Sequence, residues 1–265
     1  MKSLKKYLEK QGDEIDTLLK KPKEAYTPET FHKLRVEIKK LNACFELINF
    51  CSKDFKRKNT FKPFKLIFRQ AGRIRELQIE EATLKKYFLT NMLKGYRNNL
   101  KQVRLKEKEK YFSIVNKKFA AQLKKTIYKM EPFIMQVDKR KVNSYTKEKR
   151  KIIEKIIQQK TLKTPQLHLL RKELKKFNFN QRSLGLKKAN ETLPKKDVLP
   201  ELLGKWHDCQ VIIEHLKKAM ETAEMNPKER SQLEKVKTKI SSESDEFLNK
   251  INATIPTSEF FSAQC

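Results

Sequence analysis

Two blocks of this chain, FHKLRVEIKKLN at 31–42 and LHLLRKELKKFN at 167–178, spell His-x-Leu-Arg-x-Glu-x-Lys-Lys twice, 136 residues apart. Histidine is scarce, with 4 in 265 residues, so a matched pair is hard to attribute to chance. A second pair follows in the same order: AGRIRELQI at 71–79 aligns with LGKWHDCQV at 203–211 at an offset of 132. Gly72 matches Gly204, Arg73 matches Lys205, Arg75 matches His207, and Glu76 matches Asp208. Offsets that differ by one helical turn imply a duplicated helical unit, and a repeat constrains architecture before any single element does. Each glycine falls inside a helical pattern at a cost of roughly 1 kcal/mol, so a close approach of a helix or ligand is expected at both.

Apolar residues recur at helical spacing almost throughout, and five glycines and nine prolines leave little material for the turns of an all-β fold. The pattern predicts helices over about 2–20, 28–51, 61–89 and 92–123. Thr27-Pro28-Glu29 opens the second with a capping residue followed by proline. The Glu131-Pro132 region and the polar stretch Asp138–Tyr145 read as a junction between halves. The second half repeats the plan, with a helix over about 146–160 and others after Thr164-Pro165, Pro194 and Asn226-Pro227. An all-α fold follows, expected as two four-helix bundles related by an internal pseudo-two-fold axis. One domain over 1–265 is expected, with repeats at 1–137 and 146–254 and a tail at 255–265.

Sixty-two Lys and Arg against 32 Asp and Glu give a net charge of +30. Such a chain repels itself unless it neutralises a polyanion, whether nucleic acid, anionic membrane or a phosphate polymer. No apolar run is long enough for a signal peptide or a membrane span, so no membrane association is expected. Cys44, Cys51, Cys209 and Cys265 lack CxxC spacing, which points to neither a zinc site nor a disulfide framework. A reducing cytoplasm, with no metal and no cofactor, is the expectation.

On a helical wheel with about 100° per residue, His32, Arg35, Lys39 and Asn42 form a narrow stripe. Leu34, Ile38, Leu41, Phe45 and Ile48 gather on the adjoining face, while Lys33 and Lys40 fall on the other flank, nearer solvent. The second block gives the same wheel, with His168, Arg171, Lys175 and Asn178 in the stripe and Leu170, Leu174 and Phe177 beside it. Arginine makes bidentate, charge-assisted bonds to phosphate, and lysine adds a mobile point charge. Histidine donates from either ring nitrogen, and a neighbouring polyanion favours its charged form, so binding is expected to strengthen as pH falls. A row repeating at helical pitch suits successive phosphates of a linear polymer better than one small anion.

The two H-x-x-R-x-x-x-K-K blocks, each followed by a glycine-containing G-x-x-R-E or G-x-x-H-D helix, resemble the CHAD family, the conserved histidine α-helical domain. The resemblance is anchored at about 28–85 and 164–216 and covers nearly the whole chain. It implies paired four-helix bundles and binding of inorganic polyphosphate in a basic central cavity, in some members at polyphosphate granules. Carried onto this chain, it implicates His32, Arg35, Lys39 and Lys40 with His168, Arg171, Lys175 and Lys176. Arg73, Arg75, Lys205 and His207 are implied as contributors from neighbouring helices, with Glu76 and Asp208 orienting the cations. Asn42 and Asn178 depart from the family, which often carries a further basic residue there.

Catalysis is not expected. The ExExK strand of the triphosphate-hydrolysing tunnel domains that often accompany CHAD domains is missing, and His207-Asp208 lacks the further His and Asp ligands of HD-type phosphohydrolases. The rival is a helical nucleic-acid-binding protein, since DNA presents the same counterion-release term. Against it, the cations flank the core at paired sites, and no stacking platform for single strands is evident among the aromatic residues.

Overall fold

The computed structural model describes residues 2–87, 93–159, 162–186, 198–222 and 225–257. Among the described residues the chain is all helical. The elements are α1 (Lys2–Leu19), a 3-10 turn (Lys23–Ala25), α2 (Pro28–Cys51), α3 (Arg57–Tyr87), α4 (Lys94–Ile114) and α5 (Lys117–Tyr128). They continue with α6 (Glu131–Met135), α7 (Lys139–Ile157), α8 (Thr164–Ser183), α9 (Val198–Thr222) and α10 (Pro227–Thr257). Pro194, Phe260, Phe261 and Cys265 lie outside the described residues.

Local chemistry sets the helix ends. The Thr27 side chain accepts from the Thr30 amide and Pro28 takes the first helical position, which starts α2 as expected. In α8 the cap is Lys163 rather than Thr164, and Gln166 Oε1 accepts from the Lys163 amide at 2.6 Å. Gly185 ends α8 at φ +73°, with Leu186 N donating to Gln181 O and Gly185 N to Arg182 O. That is a Schellman close, which needs the left-handed conformation glycine reaches at least cost. The expected helix over 92–123 is interrupted, because Asn116 accepts from the Phe119 amide at 2.8 Å and starts α5 anew. Asp138–Tyr145 is no linker: Asp138 caps α7 through the Lys141 amide, and Val142 and Tyr145 are buried.

The chain forms two compact units, residues 1–73 with 109–191, and residues 74–108 with 192–265. Each unit draws on both halves of the sequence. In the first, α1 packs on α2, α7 on α8, and α2 on α8. Leu34, Ile38, Leu41, Phe45 and Ile48 are fully buried, as their wheel face requires, with Leu4, Leu8 and Ile15 from α1 and Leu167, Leu170 and Leu174 from α8. Each such side chain contributes about 1.5–3 kcal/mol. Tyr26, Phe31, Tyr111 and Phe112 add a cluster of tilted and edge-to-face rings. In the second unit α9 packs along α10, and Leu84, Tyr96, Leu100, Ile212, Leu216, Leu233, Val236 and Ile240 form its core. No helix among the described residues is long and apolar enough to cross a membrane.

The two matched glycines differ. A Cβ on Gly72 would stand 2.0 Å from Arg35 Nη1, so the expected close approach exists there. A Cβ on Gly204 would meet nothing within 4 Å among the described residues. Replacing Gly204 with Ala is therefore expected to stabilise the protein by about 0.5–1 kcal/mol. The same change at Gly72 should give no such gain, because it dislodges Arg35. Urea denaturation of the two variants checks the contrast.

Candidate functional site

The packing of α2 on α8 brings both repeated blocks into the first unit. His32 is exposed on α2, and Arg35 and Lys39 are half-buried. Arg35 lies across Gly72, donates from Nη1 to the Phe68 carbonyl at 3.0 Å, and stacks its guanidinium 4.5 Å from the Phe68 ring centroid. Lys39 Nζ stands 5.9 Å from the same centroid. Both are cation–π distances. On α8, His168, Arg171 and Lys175 are half-buried. Arg73, exposed on α3, closes the first stretch of this unit.

The last lysine of each block has another place. Lys40, expected nearer solvent, is half-buried with Nζ 2.7 Å from Glu37 Oε1. Lys176 Nζ lies 2.9 Å from Glu173 Oε1 and 2.9 Å from Glu46 Oε2. Lys149 of α7 joins the same carboxylates, at 2.5 Å from Glu46 Oε1 and 3.0 Å from Glu173 Oε2. Arg57 reaches Glu46 at 3.4 Å and donates to Asn42 Oδ1 at 2.9 Å. The lattice thus ties α2, α3, α7 and α8 within the first unit. Its Asn42 is an acceptor for Arg57, a task no basic residue could perform. Asn178 is half-buried on α8 and has no matching arginine among the described residues.

Burying charge costs several kcal/mol per ion unless partners alternate closely, as they do here. Burial pushes the Glu46 carboxyl up, but the hydrogen bonds and charges of Lys149 and Lys176 outweigh it and hold it below the usual range. Burial likewise pulls the Lys149 ammonium down, and Glu46 and Glu173 more than restore it. His168 moves the other way: desolvation first, then Lys172 and Arg171, keep it below its ordinary range. Without a bound anion the surroundings of His168 thus favour its neutral form.

The remaining expected residues belong to the second unit. Arg75 is half-buried on α3, and its Nε is buried without a hydrogen-bond partner. Lys205 is exposed on α9 and pairs with Glu201 at 2.6 Å, while His207, two residues further along the same helix, is half-buried. Glu76 Oε2 lies 3.9 Å from His215 Nε2, an ion pair when His215 is protonated. Sequence reasoning passed over Glu46, Lys149 and His215. The signal for Glu46 was a lone carboxylate within the apolar run CFELINF. Glu173 and Glu37 were present in the repeat itself as its unexplained Glu.

The CHAD domain family model matches residues 6–217, which is most of the chain. The chain belongs to the CHAD domain family. Its fold is similar to the crystal structure of the CHAD domain from the plant Ricinus communis, with a TM-score of 0.74 at 12% identity over 97% of this chain and 92% of that one. It is also similar to PptA from Streptomyces chartreusis, with a TM-score of 0.65 at 10% identity over 96% and 98% of the two chains. At such identities the likeness concerns the fold alone. No curated protein matches this CHAD chain significantly.

Removing Lys149 takes one contact each from Glu46 and Glu173 and leaves them to Lys176 and, at Glu46, the more distant Arg57, so Lys149→Met is expected to cost about 1.5–3 kcal/mol, read by urea denaturation. Glu46 contributes stability that is present above the unfolded carboxyl value of about 4.3 and is lost as pH falls through its lowered folded value. Glu46→Gln should therefore lose less stability than the wild-type protein between neutral pH and about pH 3, measured by the same denaturation.

Proposed function

We propose that this CHAD protein binds inorganic polyphosphate, without catalysing its turnover, along the rows His32, Arg35, Lys39 and His168, Arg171, Lys175. The observation that carries this reading is the packing of α2 on α8 in one compact unit, which gathers both rows on a chain of net charge +30. Lys40 and Lys176, paired with Glu37 and with Glu173 and Glu46, add positive charge to the same two helices. Arginines held at one point, as Arg35 is by Phe68, keep a planar fork in a fixed orientation, and less entropy is lost when phosphate binds. We read the sequence halves 1–137 and 146–254 as a duplicated four-helix repeat about a pseudo-two-fold axis, each half supplying helices to both units. A cytoplasmic location with recruitment to polyphosphate granules accords with this function.

Competition distinguishes this reading from nucleic-acid binding. At moderate salt and equal phosphate concentration, polyphosphate should displace a labelled polyphosphate probe far better than duplex DNA does. Equal displacement would favour the nucleic-acid reading, because counterion release alone would then account for binding. Arg35→Gln with Arg171→Gln should weaken polyphosphate binding by about 1.5–3 kcal/mol per arginine, at least about tenfold in Kd. Neutralising the exposed Lys106 and Lys151 should cost much less, and similar losses in the two double variants would sink the paired-row model.

A further inference from the structure

His215 lies outside both repeated blocks, half-buried on α9 in the second unit. Its Nδ1 is 3.0 Å from Glu80 Oε2. Its Nε2 is 3.9 Å from Glu76 Oε2, too long for a hydrogen bond but within ion-pair range. Glu80 is 1% exposed, and its other oxygen accepts the hydroxyl of Tyr96 from α4. A carboxylate this deeply buried requires a counter-charge or incurs the full cost of desolvation. Among the groups the structure places beside Glu80, the imidazole is the one able to supply that charge, since Tyr96 offers only a neutral donor. Burial, and then the charge of Glu80, push the Tyr96 hydroxyl well above its ordinary range, which keeps it protonated.

We propose that His215 is a protonation-operated clamp in the second unit. As imidazolium it ties α9 to Glu80 and Glu76 of α3 and, through Glu80 and Tyr96, to α4. As neutral imidazole it loses its attraction for Glu76 and leaves Glu80 buried without a counter-ion. The groups that act on it are Glu80 and Glu76 from α3, Tyr96 through Glu80 from α4, and Lys218 on its own helix, whose charge opposes protonation. On α10, which packs along α9, the carboxylate Glu243 is taken by Tyr87 and Lys86. The hydrogen bond to Glu80 leads, against desolvation, in raising His215 above the ordinary histidine range. The clamp joins the two helices of this unit that carry Arg75 and Lys205 with His207, so the protonation state of His215 governs how firmly these cations are held within it.

The sign follows from linkage. A group raised on folding contributes stability that is fully present below its unfolded value, about 6.5, and that is lost as pH rises through the folded value. Two measurements without any polyphosphate test the clamp independently of the proposed function. In the wild-type protein, imidazole proton shifts followed against pH should show His215 titrating above the ordinary histidine value of about 6.5 and above His168. His32→Gln, His168→Gln and His207→Gln each remove one signal and so assign the fourth. Titration of His215 at or below its ordinary value overturns the proposal. The thermal midpoint of the wild-type protein should also fall between about pH 6 and 8.5 by about 2–4 °C more than that of His215→Gln. Equal falls in the two proteins would likewise overturn it.

Discussion

Glu46 and Glu173 are two carboxylates placed where water is nearly excluded, and the first unit depends on their neutralisation from within. Lys149 and Lys176 each bridge both of them, and Arg57 adds a third cation at Glu46. The four helices that carry these groups are joined by charge as well as by apolar burial. A buried ion lattice adds little to net stability compared with a well-packed apolar core, but it penalises any arrangement that separates its members. It therefore favours the packing in which this face of α2 meets α7 and α8.

The repeated block has two parts with separate physical tasks. Its Glu and final Lys form the same i,i+3 pair in both copies, Glu37 with Lys40 and Glu173 with Lys176. Its His, Arg and first Lys occupy the stripe beside the core. The copies are not equivalent, since only the second pair is drawn into the lattice with Glu46 and Lys149. The glycines diverge in the same way: Gly72 admits the Arg35 guanidinium against its backbone, whereas a Cβ on Gly204 would meet nothing within 4 Å among the described residues. The same residues occur twice in the chain, and different neighbours give them different surroundings.

The histidines illustrate how environment overrides residue type. His168 belongs to the repeated block, yet desolvation and the cations around it disfavour its charged form. His215 belongs to no block, yet a buried carboxylate favours its charge. Spacing along the chain announces neither shift, since the charges responsible at His215 come from another helix. The decisive partners are distant in sequence: Glu80 and His215 lie 135 residues apart, and Glu46 of α2 meets Lys149 of α7.

Much was nevertheless legible in the chain alone. The all-α character, the bounds of α2, the buried face Leu34–Ile38–Leu41–Phe45–Ile48 and the cationic stripe beside it all follow from helical periodicity and capping. These are properties of neighbours in sequence, one or two turns apart. Periodicity also misjudged particular places: it ran through Asn116, whose side chain caps a new helix, and treated Asp138–Tyr145 as a junction although Asp138 starts α7. Tertiary structure alone decided that Lys176 also meets Glu46, that Asn42 serves Arg57, and that α2 and α8 share one compact unit. A wheel states the direction in which a side chain points from its helix, but the charge it meets there comes from another helix, and only packing brings that helix into place.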